Sequence, residues 1–195
     1  MLRLKLKTDP VWVKKVVEGR IEEILTDHAY CEQKAASTAI SLIVQFPEFP
    51  ELVDKMADLA REEMAHFQMV HKEIKERGYK LGRERKDEYV NDLIKFTRVP
   101  GRGREEILVD KLLLAAMIEA RSCERFKVLS DNISDKQLSD FYFRLMKSEA
   151  RHYTMFLQLA RKLAKTVDVN ARWREFLEYE AEVISRYGKK ETVHG

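Results

Sequence analysis

The sequence predicts an all-α protein: a bundle of four long helices with one long crossover and an additional C-terminal helix. Three observations carry this. Apolar residues recur at helical spacing through four segments of roughly 25–30 residues each. Only seven glycines and four prolines occur in 195 residues, too few turn residues for a many-stranded β protein. The connection between the second and third long segments is also far longer than a simple helical hairpin needs.

The first long helix is expected over roughly 20–46, stopped by Pro47. The second starts at Pro50, whose fixed φ suits a first helical turn, and ends near Gly78. The third opens around "REEILVDK", where Glu105 and Glu106 favour the positive N-terminal end, and runs to about Ser130. The fourth begins at Ser134, where "SDKQ" reads as an S-x-x-Q capping box, and continues to about Lys165. A shorter helix from about 170 to 187, ended by Gly188, covers one end or side. At 1.5 Å per residue the long helices span about 40 Å, the proportions of a four-helix bundle. The roughly 25 residues between the second and third, "YKLGRERKDEYVNDLIKFTRVPGRGR", predict a crossover joining two helical hairpins. All 195 residues read as one domain.

Composition narrows the class. Hydrophobic content of 45% and charge of 35% indicate a soluble globular chain rather than a disordered one. No long uncharged apolar run is present, and "MLRLKLKTDP" lacks the apolar segment of a signal peptide, so no membrane association and a cytoplasmic location are expected. Cys31 and Cys123 are isolated from each other and read as buried small thiols, not as a zinc ribbon or disulfide framework. The net charge of +3 is mild, so any basic surface must be local.

The chemistry lies in the helical seams. The second helix carries Leu52, Met56, Leu59, Glu63, His66 and Val70 at alternating steps of four and three. The fourth repeats the pattern through Leu145, Glu149, His152 and Phe156, so that "SEARHY" is a second copy of "EEMAHF". The first offers His28, Glu32, Ala36 and Ala39, and the third Leu112, Ala115, Glu119, Ser122 and Phe126. Each helix therefore points one carboxylate into the core. Glu32 to Glu63 spans 31 residues and Glu119 to Glu149 spans 30, so each helical hairpin supplies half of one set.

Burying four anionic carboxylates without compensation costs several kcal/mol each. No lysine or arginine is expected to face inward at these levels, and bound cations are the economical answer. Four carboxylates and two neutral imidazoles match two divalent ions. A lone Glu-x-x-His is commonly a solvated surface pair; two copies in apolar seams, each preceded by an in-seam glutamate, form the pattern of di-iron and di-manganese carboxylate proteins. Mixed oxygen and imidazole donors suit iron or manganese, and the high ligand count disfavours zinc. Glu124, about 140° around the helix from Glu119, is expected outside the ligand set. His28 is expected to be a hydrogen-bonded core histidine, Tyr142 and Tyr153 packing residues, and Met56, Met64 and Met117 core filler.

The segment "PGRGREEILVDKLLLAAMIEARSCERFKVLSD", with "DHAYCEQKAA", "REEMAHF" and "KSEARHY", resembles the MiaE family of bacterial tRNA-modifying non-haem di-iron mono-oxygenases. The resemblance covers roughly residues 5–188 and implies a ferritin-like four-helix bundle. It also implies O2-dependent hydroxylation of the isopentenyl side chain of 2-methylthio-N6-isopentenyladenosine beside the tRNA anticodon. Carried over, Glu32, Glu63, His66, Glu119, Glu149 and His152 become the ligands of two iron ions, the same six that the seams select. Two ferrous ions can deliver two electrons to O2, and carboxylate-rich ligation stabilises the higher-valent iron that results. The sequence holds no flavin, rubredoxin or Rossmann signature, so a separate reductase or ferredoxin is implied as electron donor.

For a tRNA partner the long connection is the first candidate. Residues 80–104 hold eight basic and four acidic side chains, and the resemblance points to Arg83, Arg85, Lys86, Arg98, Arg102 and Arg104 as RNA contacts. Tyr79, Tyr89 and Phe96 would offer stacking surfaces, and Gly101 and Gly103 would let backbone amides approach phosphate. The opposing reading is a solvated crossover whose arginines pair with its own acids. Arg186, Lys189 and Lys190 form a second basic cluster, for which the opposing reading is a flexible tail. The competing functions are a ferritin-like or rubrerythrin-like iron-binding or peroxide-scavenging protein, and a di-iron oxygenase acting on a lipid or aldehyde.

Overall fold

The computed structural model describes residues 2–97 and 101–187. Six α-helices account for most of them: α1 (Ile21–Gln45), α2 (Pro50–Glu76), α3 (Glu88–Thr97), α4 (Arg104–Asn132), α5 (Lys136–Leu163) and α6 (Val169–Tyr187). A π-helical turn, Val13–Val17, precedes them, and no strand occurs among the described residues. These residues divide into two compact units, one formed by 19–86 and the other by 2–18 with 87–187. Gly188, Lys189, Lys190 and Arg98 lie outside the described residues.

The first unit is the α1–α2 hairpin. Pro50 stands at the start of α2 as its ring geometry demands. Past its end, Gly78 adopts φ +74°, a conformation that favours glycine, while Tyr79 N–H returns to the Ile74 carbonyl. The packed seam is the one the periodicity predicts. Leu25, Ala36 and Ala39 of α1, and Leu52, Met56, Leu59 and Val70 of α2, are all buried. A fully buried leucine or methionine contributes about 1.5–3 kcal/mol relative to exposure. Met64, expected as core filler, is 41% exposed because it lies off this stripe, and Cys31 is only half-buried.

The segment after α2 runs extended along α1 and is tied to it once per turn. Glu22 accepts from Lys80 N–H at 3.3 Å and Thr26 Oγ1 from Gly82 N–H at 3.3 Å. The Tyr30 hydroxyl donates to the Gly82 carbonyl at 3.0 Å, and Lys34 Nζ to the Arg85 carbonyl at 3.4 Å. These four α1 residues are spaced by four, so they share one face. Gly82 is needed for closeness: a Cβ there would stand 3.2 Å from Thr26 Cγ2.

The second unit joins the α4–α5 hairpin to α3, α6 and the N-terminal segment. Helix α3 lies within the long crossover, part of which the sequence reading left without structure. Its sequence "EYVNDLIKFT" places Tyr89, Leu93 and Phe96 on one stripe, and Asp87 caps it by accepting from Val90 N–H at 2.9 Å. Helix α5 starts one residue later than expected. Asp135, not Ser134, is its cap, because its carboxylate accepts from Leu138 N–H at 3.0 Å while Ser134 N–H donates to Glu18.

Helix α4 carries two fully buried arginines, inward cations that the sequence reading did not anticipate.

 Arg121 and Arg125 are 0% exposed, and their charges are spent inside this unit. Arg121 donates from Nε and Nη2 to Glu180 Oε1 at 2.9 and 2.6 Å, from Nη1 to Glu124 at 3.0 Å, and from Nη2 to the Leu6 carbonyl at 3.1 Å. The Tyr89 hydroxyl donates to the same Glu180 oxygen at 3.1 Å. One ion pair thereby joins α3, α4, α6 and the N-terminal segment. The Arg125 guanidinium lies 4.4 Å from the Trp12 ring centre. A second pair, Arg172 to Asp110 at 2.8 Å on both oxygens, ties α6 to α4, with Arg102 on the same carboxylate and the Phe96 ring under the Arg172 guanidinium.

Candidate metal centre

In the first unit, α1 contributes Glu32 and α2 contributes Glu63 and His66. All three are at least nine-tenths buried, and each offers a ligand atom within 4.8 Å of the others. The helical period explains this: Glu63 and His66 are three apart on the α2 face that packs on α1. His66 Nδ1 is 3.0 Å from Glu63 Oε2 and 3.6 Å from Glu32 Oε2. Burial works against a charge on His66, but the Glu32 and Glu63 carboxylates outweigh it and raise its pKa to about 9. Burial likewise opposes ionisation of Glu32; His28 and His66 reverse that and hold it well below the usual carboxylate range. His28, fully buried, stands 2.7 Å from Glu32 Oε1. It is the hydrogen-bonded core histidine expected, and its partner is a candidate ligand.

In the second unit, Glu119 of α4 and Glu149 and His152 of α5 are each buried to within 5%. His152 Nδ1 lies 3.8 Å from Glu119 Oε2, and these two residues also offer ligand atoms within 4.8 Å of each other. Glu149 and His152 repeat the three-residue spacing of Glu63 and His66. Glu124 faces elsewhere, accepting from Thr8 N–H at 2.7 Å and Thr8 Oγ1 at 2.8 Å as well as from Arg121. Tyr142 is buried between Phe126 and Phe141, and Tyr153 lies 6.0 Å from Trp173, both as packing residues.

Each unit thus presents two carboxylates and one imidazole in an apolar seam. This donor set fits a hard or borderline divalent ion such as iron, whose charge would offset the carboxylates. What the sequence reading missed nearby are the buried arginines. Their signal was visible in "IEARSCERF", where Arg121 and Arg125 are four apart and so share one face of α4.

The basic connection is divided. Arg83 and Lys86 are exposed, but Arg85 pairs with Glu23 at 3.6 Å, and Arg102 with Asp110. Arg83, Arg85 and Lys86 belong to the first unit, Arg102 and the exposed Arg104 to the second. The expected stacking rings are not exposed platforms. Tyr89 is fully buried on Glu180, and Phe96 stacks on Tyr179 with centroids 4.6 Å apart. The Gly103 amide is engaged by Glu106 at 2.8 Å, leaving only Gly101, at φ +77°, in a conformation special to glycine.

The helical architecture and the paired glutamate–histidine seams define a ferritin-like protein with buried carboxylate and histidine groups that could hold a metal ion. A solved structure titled "Protein 43 with aldehyde deformylating oxygenase activity from Synechococcus" shares this fold, with TM-score 0.89, 31% identity, and coverage of 98% of this chain and 95% of that one. The chain also matches the family described as tRNA-(MS[2]IO[6]A)-hydroxylase (MiaE) over residues 2–195. Two relatives are named tRNA 2-(methylsulfanyl)-N(6)-isopentenyladenosine(37) hydroxylase. One, from Pseudomonas putida, is 40% identical over 83% of this chain and 77% of its own length. The other, from Salmonella typhimurium, is 30% identical over 93% of this chain and 83% of its own length. The chain belongs to the MiaE family of tRNA hydroxylases.

Proposed function

We propose that this enzyme hydroxylates the isopentenyl side chain of 2-methylthio-N6-isopentenyladenosine in tRNA, using O2 at two iron ions held by Glu32, Glu63, His66, Glu119, Glu149 and His152. The observation that carries the reading is the repeated set of one glutamate plus one Glu-x-x-His, buried in each helical hairpin of a chain that belongs to this hydroxylase family. Each unit supplies three of the six proposed ligands, and we read the chain as one ferritin-like di-iron domain. The tRNA substrate sets the cytoplasm as its place of work, and no described helix is long and apolar enough to cross a membrane.

Bound and reduced, the iron pair supplies the two electrons with which O2 is made reactive toward an allylic C–H bond. The protein's own part is positional. His28 holds the Glu32 carboxylate in one orientation and ionised, ready to bind a cation. His66 releases its proton when it takes up a ligand role. The apolar seam residues around these groups, Leu59 and Val70 on α2 and Leu145 and Phe156 on α5, keep bulk water away from the ligands. Electrons come from a separate reductase or ferredoxin.

The likeness to a protein with aldehyde deformylating oxygenase activity supports a second reading, in which the same ligand set acts on an aldehyde. Mass spectrometry of tRNA nucleosides from cells with and without the gene separates the two. Loss of the hydroxylated nucleoside on deletion, and its return with wild-type but not Glu63→Ala protein, is the expected result. Unchanged nucleosides would refute the tRNA reading.

A further inference from the structure

In the second unit, a groove of about 630 Å³ opens between α5, α6 and the N-terminal segment. Arg3, Arg161 and Arg174 line it, and no aspartate or glutamate does. Several arginines elsewhere in this unit are matched to acids: Arg102 and Arg172 to Asp110, Arg121 to Glu180 and Glu124. The three groove arginines are exposed, and among the described residues none forms an ion pair. Arg161 is steadied by one neutral contact, from Nε to Asn170 Oδ1 at 3.1 Å, which keeps its Nη donors in a fixed fork. Tyr153 and Trp173 supply aromatic lining.

From this geometry we propose that the groove grips the sugar-phosphate backbone of the tRNA. The proposal rests on the tRNA reading above and adds a binding surface distinct from the residue 80–104 connection. Three guanidinium groups that line one groove without a carboxylate suit an anion, and their planar forks match phosphate oxygens in pairs. Aromatic lining beside them suits a ribose or base, as in single-stranded RNA recognition. The volume lies in the range of pockets that enclose a nucleotide-sized group, roughly 300–1,000 Å³. An acidic protein donor of electrons would also be drawn to positive charge, but a concave groove with aromatic lining favours the nucleic acid over a protein's broader face.

The placement relates the grip to the chemistry. Tyr153 directly follows the proposed ligand His152 on α5, and Arg161 is nine residues beyond it, about 13 Å along the helix axis. One rigid helix therefore carries both a metal ligand and a phosphate contact, which fixes the distance between them.

The test is the salt dependence of tRNA binding by the full-length, iron-loaded protein, with tRNA prepared from cells lacking the gene. Each phosphate neutralised adds about 0.7–0.9 to the slope of log affinity against log salt. Arg161→Ala/Arg174→Ala should flatten the slope by about 1.4–1.8 and leave iron content unchanged. Arg161→Lys/Arg174→Lys, which keeps the charge, should hold the slope within about 0.5 of wild type. Removing two lysines paired on the surface elsewhere, by Lys127→Ala/Lys136→Ala, should also change it by less than about 0.5. An unchanged slope in the alanine variant, or an equal effect of the lysine control, overturns the proposal. So does an alanine variant that binds tRNA normally but loses reductase-driven turnover, since the groove would then serve the electron donor. The two readings fail separately: wild-type protein that binds tRNA through these arginines but does not hydroxylate it refutes the function and leaves the groove standing. Hydroxylation with a slope indifferent to them does the reverse.

Discussion

Glu180 is the residue whose removal should cost this fold most for the fewest atoms. Its Oε1 accepts from Arg121 Nε, Arg121 Nη2 and the Tyr89 hydroxyl, and both members of the ion pair are 0% exposed. Glu180→Ala leaves a guanidinium that water cannot reach. Breaking a buried pair in this way costs about 3–5 kcal/mol. Arg121 would keep two contacts, Glu124 and the Leu6 carbonyl, so the lower figure applies, about 3 kcal/mol. For a chain of this size that lowers Tm by about 6–12 °C. Urea unfolding of the metal-free protein, followed by circular dichroism, measures it as a midpoint shift at constant slope. Arg121→Met/Glu180→Leu, which removes both charges and fills the volume, should recover most of the loss. A Glu180→Ala cost below about 1 kcal/mol, or a double variant no better than the single, would refute the account of Arg121 as a charge that depends on Glu180.

Two further outcomes concern the ligands. Purified protein should bind about two iron ions per chain, falling sharply in Glu63→Ala and in His152→Ala but not in Glu124→Ala, as metal analysis would register; iron loss in Glu124→Ala would show that the α4 register is wrong. His66 should make iron uptake and stability respond to pH in opposite directions. Its folded pKa of about 9 exceeds its unfolded value of 6.5, so its contribution to the metal-free protein is fully present below pH 6.5 and lost as pH rises through 9. Iron must displace that proton, so apparent affinity should rise about tenfold per pH unit between pH 7 and 9. Affinity flat across that window in a titration with a competing chelator would contradict the assignment.

The main helices and the six candidate ligands were legible because both follow from periodicity. Apolar residues stepping by three and four mark a buried stripe, and a glutamate or histidine within the stripe is buried with it. Glu63 and Glu149 could be read without knowing what they face. Helix α3 was hidden because its ten residues form a short stripe inside a connection that is otherwise rich in charge, glycine and proline. Arg121 was hidden for a different reason. Its meaning depends on Glu180, 59 residues away, and only tertiary structure brings that partner to it. The Arg3–Arg161–Arg174 groove draws on two ends of the chain and leaves no local pattern.

The extended segment that follows α2 borrows its anchorage. Its amides and carbonyls at Lys80, Gly82 and Arg85 are secured by side chains of Glu22, Thr26, Tyr30 and Lys34, which project from successive turns of α1. Glu84 and Arg85 add ion pairs to Lys34 and Glu23 of α1, but Arg83 and Lys86 are released from any duty in holding the segment down. The charge at those two positions can drift over generations without loosening the path, whereas a change at Thr26 or Tyr30 would free a stretch roughly fifty residues away. In hydrogen exchange, substitution of those two helix residues should therefore speed exchange at the Gly82 amide while the α1 backbone keeps its protection.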